Sequence, residues 1–145
     1  MDRVLGFSGE YRFLSNFYPA KVELDGLEYV STEHAYQAAK TLDAAERRHI
    51  RENTKAGEAK KLGQKVKKRS DWEQVKISVM EDLVRQKFTK HKDLKDKLLA
   101  TGNAYLEEKN HWHDIFWGVC KGNGKNHLGK ILMKVREELK GENKV

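Results

Sequence analysis

The dipeptide Asp25-Gly26 constrains this chain more than any other feature. It separates two short runs, "KVEL" and "LEYV", and Asp-Gly supplies the positive φ angles of a tight hairpin turn. The chain therefore doubles back there, turning the preceding "LSNFYP" loop toward what comes next. What comes next is "STEHAYQAAK", where Ser31 or Thr32 is placed to cap a helix starting near Glu33. Counting about 100° per residue from Glu33, Ala35, Ala38, Ala39 and Leu42 share one side. Glu33, Tyr36, Gln37 and Lys40 share the other. Glu33 and Gln37 are i,i+4 neighbours. Lys40 lies two turns on, roughly 10 Å from Glu33 by helical rise, a spacing that a sugar can occupy. The competing reading is a solvated stripe whose first-turn carboxylate simply meets the helix dipole.

The rest of the chain is mostly helical in pattern. "VLGFSG" is expected as a short strand. Helices are expected over Ala44 to Glu52 and over roughly Lys55 to Lys67, the second with Ala59, Leu62 and Val66 on one side. Ser70 and Glu73 have capping-box spacing. They open a long helix in which Trp72, Val75, Val79 and Leu83 recur at helical spacing, widened by Ile77, Met80, Val84 and Phe88. "KDLKDKLLATG" reads as a helix stopping at Gly102. Tyr105-Leu106 and Ile115 to Val119 read as short strands around a polar, aromatic loop. Asn126 is expected to cap a last helix carrying the stripe Leu128, Ile131, Leu132, Val135 and Leu139. The expected fold class is mainly α with a small β element, as a single compact domain over residues 1–145.

Charge narrows the partners. Lysine and arginine number 29 against 22 acidic residues, a formal net charge of +7. That excess favours nucleic acid, nucleotides or phosphorylated sugars. It is dense in "KAGEAKKLGQKVKKR", either a solvated helix face or a phosphate-attracting rim. No stretch is long and apolar enough to cross a membrane, and the start lacks the apolar core of a signal peptide. Cys120 is the one cysteine, so no internal disulfide is possible and a reducing cytoplasm fits.

A second concentration of chemistry is "NHWHDIFWGVC". Its two tryptophans suit stacking on a planar ligand, or an ordinary core. His111, His113 and Asp114 match no strong zinc spacing, so no metal is expected there beyond the alternative of a single hydrated cation held by carboxylate and phosphate, and no cofactor is expected. "CKGNGKNHLGK" offers backbone N–H groups to a phosphate before a helix, or is a plain turn, since it lacks P-loop spacing. Cys120 is either a nucleophile or a small buried hydrophobe.

Taken in order, "FLSNFYP", "EHAYQAAK", "LGQKVKKRSDW", "KF", "NHWHDIFWGVC" and "GKNHLGKILMKVR" cover nearly the whole chain and resemble the NADAR (YbiA-like) family. The resemblance implies a compact, mainly α-helical domain with a small β element. It implies an enzyme acting on N-glycosidic bonds of ribose derivatives. Activities known in the family are hydrolysis of phosphoribosyl-aminopyrimidine intermediates of riboflavin synthesis and removal of ADP-ribose from guanine in nucleic acid. By the same resemblance Glu33, Lys40 and Asp114 are the catalytic candidates. Asn16, Phe17 and Tyr18 match the pocket loop, Trp72 the tryptophan opening the central helix, and Asp114, Trp117 and Gly118 the D-x-x-W-G element. Gln37 and Trp112 complete the expected substrate-binding set, Trp112 with His111 and His113 falling where the family is less uniform.

Breaking a ribose C1′–N bond builds positive charge at C1′ and the ring oxygen, which a carboxylate stabilises while an acid assists the leaving nitrogen. Glu33 and Asp114 are the available pair. Lys40 allows a second route, a Schiff base with the open-chain sugar, which requires a partly desolvated amine or a neighbouring cation; it could instead hold a phosphate. The expected substrate is an ADP-ribosylated guanine in nucleic acid, with a ribose-phosphate metabolite as the alternative. A non-catalytic ADP-ribose or nucleic-acid binding module is the reading from a different class.

Overall fold

The computed structural model describes residues 2–143. It forms two compact units, dividing after Ser15 and again after Lys87. The central unit is Asn16–Lys87. The terminal unit joins the N-terminal segment through Ser15 to the chain from Phe88 onward.

The central unit begins with the hairpin of β2 (Pro19–Leu24) and β3 (Leu27–Ser31), paired antiparallel; β1 (Arg3–Leu5) belongs to the terminal unit. Asp25 and Gly26 take φ of 50° and 84°, so both central turn residues are left-handed, as the sequence requires. Ser31 caps α1 (Thr32–Ala39) by accepting the His34 N–H. This helix is buried on all sides rather than split into a packed and a wet face. One expectation and one competing reading fail here. Leu42 does not join the packing side: α1 stops at Ala39 and Leu42 is 68 % exposed. Tyr36, Gln37 and Glu33 are not a solvated stripe, because all three are buried.

Then come α2 (Ala44–Glu52), α3 (Ala56–Gly63) and α4 (Trp72–Lys90). α2 has the expected bounds, with Asp43 accepting the Glu46 N–H as its cap. α3 ends at Gly63, short of the expected Lys67. The lysine-rich continuation is exposed and has too little apolar surface to hold a further turn. The expected capping box at α4 is replaced: Glu73 pairs with Lys76 at 2.7 Å, and the Asp71 carbonyl accepts the Gln74 and Val75 N–H groups. Along α4, Trp72, Met80, Leu83 and Val84 are buried, whereas Ile77 is exposed. The segment before and within β2 is tied to this helix. Asn16 Nδ2 donates to Met80 Sδ at 3.4 Å, and Gln86 exchanges two hydrogen bonds with the Glu23 backbone, at 2.8 and 2.9 Å.

The terminal unit pairs β1 (Arg3–Leu5) in parallel with β4 (Tyr105–Glu107), and β5 (Lys109–Asn110) in parallel with β6 (Val119–Cys120). α5 (Lys92–Ala100) stops as expected before Gly102, at φ 63°. α6 (His127–Asn143) buries its whole apolar stripe. Two local expectations are corrected. Residues 115–118 are a turn, not a strand: Asp114 Oδ1 accepts the Phe116 and Trp117 N–H groups at 3.1 and 2.9 Å, removing them from any ladder. The Phe116 and Trp117 rings accordingly meet edge-on at 4.8 Å instead of pointing apart. Asn126 does not cap α6 with its side chain. At φ 53° it faces β4, accepting the Glu108 N–H and donating to the Leu106 carbonyl and the Tyr105 hydroxyl.

Candidate active site

The chemistry of the central unit concentrates on α1. Glu33 is only 7 % exposed. Its backbone N–H, in the first helical turn where no intrahelical acceptor exists, donates to the Asn16 carbonyl at 3.1 Å. That bond sets the "NFY" loop against the helix start. Gln37, one turn on, donates from Nε2 to Glu33 Oε2 at 2.6 Å. The carboxylate is thus held by a neighbour on its own helix.

Lys40 stands at the other end of α1, as its C-cap. Its carbonyl accepts the Arg69 N–H at 2.7 Å, which brings the basic segment before α4 against it. Its ammonium lies 5.7 Å from the centroid of the Tyr36 ring, which in turn lies 5.3 Å from the Trp72 ring. Burial is the main force lowering the Lys40 pKa. Glu33 opposes that, and Lys68, Lys60 and Lys76 add to it. The lysine run expected as either a solvated face or a rim therefore acts on the site electrostatically, through Lys60 and Lys68, with Lys76 of α4 beside them.

Two flanking features share this unit. Phe17 is 42 % exposed and, with Pro19, Val30, Ser31 and His34, lines a cleft of about 180 Å³ that neither Glu33 nor Lys40 borders. Behind it, His34 Nε2 donates to the Asn53 carbonyl at 2.8 Å, leaving Nδ1 to accept the Ser31 hydroxyl at 2.6 Å. Burial lowers the His34 pKa, against the Asn53 bond, so this pair braces the start of α1. Tyr18 packs under Lys87, whose ammonium is 5.8 Å from the ring centroid. Lys87 is 1 % exposed, and burial lowers its pKa to about 7. Sequence reasoning missed this residue as a buried group. "KF" marked the position, but a lysine on a helix reads as solvated unless burial is known.

The remaining candidates lie in the terminal unit. Asp114 braces the 115–118 turn as described, and Asn110 holds the same loop, accepting the Trp112 and Asp114 N–H groups and donating to the Asp114 carbonyl. Trp112 is 48 % exposed and touches His111 edge-on at 5.2 Å. Trp117 packs edge-on to His127 at 6.3 Å. Gly118 is needed for close approach: a Cβ there would overlap the Glu108 carboxylate and come within 2.7 Å of Asn110 Nδ2. In the glycine-rich segment the N–H groups of Asn123, Lys125, Asn126, His127 and Leu128 are already engaged, the first by the Cys120 carbonyl and the other four by carbonyls of residues 115–118, so these five do not face a phosphate. Cys120 is buried, with Sγ 4.0 Å from His113 Nδ1.

An α-rich fold that sets a buried carboxylate and a desolvated amine on one short helix, framed by aromatic rings, defines a class of enzyme-like domain built around α1. Known proteins place it within that class. The NADAR domain model matches residues 6–140, and the chain belongs to the NADAR family. N-glycosidase YbiA of Escherichia coli (strain K12) is 38% identical over 95% of this chain and 89% of its own length. N-glycosidase Npun_R5314 of Nostoc punctiforme is 40% identical over 90% of this chain and 86% of its own length. Riboflavin biosynthesis protein VVA0006 of Vibrio vulnificus is 41% identical over 88% of this chain, which spans 35% of that protein. The NMR structure of the E. coli protein YbiA superposes with a TM-score of 0.86 at 36% identity, covering 99% of this chain and 89% of that one. The mainly α fold with a small β element is thus the fold of that relative.

Proposed function

We propose that this chain is an N-glycosidase that cleaves the C1′–N bond of a phosphorylated ribosyl base, with Glu33 and Lys40 as its catalytic pair. The observation that carries this reading is the Lys40 amine: partly desolvated, its pKa lowered further by the charges of Lys68, Lys60 and Lys76, and capping the helix that Glu33 opens. A lowered pKa raises the share of neutral amine that carbonyl chemistry needs. In the open-chain form of a glycosylamine, C1′ is doubly bonded to the base nitrogen. Lys40 Nζ adds to C1′, and the base leaves with its electron pair and a proton, so that a lysine imine remains. Water then adds to that imine, returning the sugar aldehyde and the free amine. Glu33 carries the protons that each addition and departure requires. Tyr36 lies beside the amine with Trp72 packed against its ring, and the Asn16–Tyr18 loop, held to the helix start by the Glu33 N–H, adds Phe17 and Tyr18.

The finer reading is removal of ADP-ribose from guanine in nucleic acid, supported by the net charge of +7, which attracts a polyanion. A second reading, hydrolysis of a phosphoribosyl-aminopyrimidine intermediate, is favoured by the Vibrio relative's name, riboflavin biosynthesis protein. Mass spectrometry of products from ADP-ribosylated-guanine DNA and from the phosphoribosyl-aminopyrimidine, with and without Glu33→Gln, separates the two. Borohydride should trap an adduct that maps to Lys40. No release from either substrate would move the chain to a binding module, and release without an adduct would remove the imine route.

A further inference from the structure

The Gln37 side chain is placed in a way that filling space does not explain. Its Nε2 donates to Glu33 Oε2 at 2.6 Å between two buried side chains. The other end of the amide lies against α3. A Cβ on Gly63 would overlap Gln37 Oε1 and come within 2.6 Å of Cδ and 2.9 Å of Cβ. The amide is therefore gripped between a carboxylate and a helix backbone that has no side chain at that point. Its Oε1 has no hydrogen-bond partner among the described residues. A buried carbonyl left in that state bears its desolvation cost with no bond in return. A methionine or leucine would fill the same volume without that penalty, so volume does not account for an amide here. Its orientation is also fixed. With Glu33 ionised, a flipped amide would set carbonyl oxygen against carboxylate.

Resting on the reading of Glu33 given above, we infer that Gln37 is a positioning residue for the Glu33 carboxylate, and that Gly63 is the gap in α3 that holds Gln37 in register. A glutamate side chain has three rotatable bonds, and a catalytic carboxylate works only when held close to one geometry. The charge-assisted bond from Nε2 supplies that restraint, and Gly63 fixes the donor in turn. The amide donates to the carboxylate that does the chemistry, not to the substrate.

Three variants and one spectrum test this. Gln37→Glu keeps the shape against Gly63 but replaces the donor with an acceptor at neutral pH. Its kcat should fall roughly 10- to 100-fold, with KM within about threefold. Gly63→Ala should fold poorly because of the overlap. Adding Gln37→Ala removes the two closest overlaps and leaves only the approach to Cβ, so the double variant should regain part of its melting temperature without regaining kcat. Full kcat in either Gln37→Glu or the refolded double variant overturns the inference. The spectrum is independent of turnover. In the wild-type protein a Gln37 side-chain amide proton should resonate downfield of ordinary glutamines and return to them in Glu33→Ala. An ordinary resonance in the wild type overturns the positioning role whatever the activity. A shifted resonance in a protein that turns over neither substrate supports the Gln37–Glu33 contact and counts against the glycosidase reading alone.

Discussion

The α1 helix and the segment from Glu108 to Leu128 are equally crowded with reactive side chains in sequence, yet their polar groups go to different places. In the terminal segment they go mostly to the backbone. Asp114 accepts two N–H groups, Asn110 holds the same loop at both ends, and Asn126 bonds three partners on the strand side. On α1 the polar groups meet each other or are left under tension. Glu33 is buried with Gln37 as its donor, Lys40 is desolvated beside other lysines, and Gln37 Oε1 has no partner among the described residues. The first arrangement stabilises a turn. The second leaves protonation states unsettled, which is what acid–base and amine chemistry uses.

That contrast is open to direct attack. The largest effect is expected from Glu33→Gln, a loss of roughly 10²–10⁴-fold in kcat with the melting temperature nearly unchanged. Lys40→Arg keeps the charge but cannot form an imine, and its loss should be of the same order; an active Lys40→Arg enzyme would leave Lys40 only a phosphate-binding role. Next comes Lys87. Its pKa falls from 10.5 to about 7 on folding, so between those values the unfolded chain holds a proton that the folded chain lacks. Stability should therefore rise with pH across that window, by up to about 1.4 kcal/mol per pH unit, and stay level below it. Denaturant melts of Lys87→Met should lose that slope. Asp114→Ala strands two N–H groups and should cost about 1–3 kcal/mol in stability. Asp114→Asn keeps an acceptor and should cost less. If Asp114→Asn stays folded and loses turnover, the terminal segment holds a catalytic charge after all and the contrast fails. The smallest effect is expected from Lys68→Met. Removing one like charge raises the Lys40 pKa, so the alkaline-rising limb of the rate profile should move slightly upward in pH.

The readable parts of the fold were those set by local chemistry. The Asp25-Gly26 turn, the Ser31 cap, the stop at Gly102 and the α6 stripe depend on neighbours within a few residues, and all four are present. The misread parts depended on distant partners or on side chains competing for backbone. Nothing in "DIFWG" shows that Asp114 will take the Phe116 and Trp117 N–H groups out of a strand. Nor does "HAYQAAK" show that a polar face will be buried, because periodicity gives the direction of a side chain but not what covers it. For the site, helical spacing gathered Glu33, Tyr36, Gln37 and Lys40 on one face, and the family resemblance added Asn16, Phe17, Tyr18 and Trp72 in the same unit. Gly63 and Lys87 carry no local signal, since the meaning of each comes from a helix or loop far along the chain.

The bonds that tie the Asn16–Leu24 stretch to α4 also impose an order on assembly. The β2–β3 turn closes between adjacent residues, an event on the scale of microseconds. The bonds from Gln86 to Glu23 and from Asn16 to Met80 join groups 63 and 64 positions apart, and closing loops of that length carries a larger entropy loss. A nascent chain can therefore shape the hairpin soon after its residues leave the ribosome, but the loop beside Glu33 lacks its ties to α4 until that helix has been made. Stalled or truncated chains ending before α4 would display a formed turn and an unseated loop, a state that proteases and chaperones should distinguish from the finished protein.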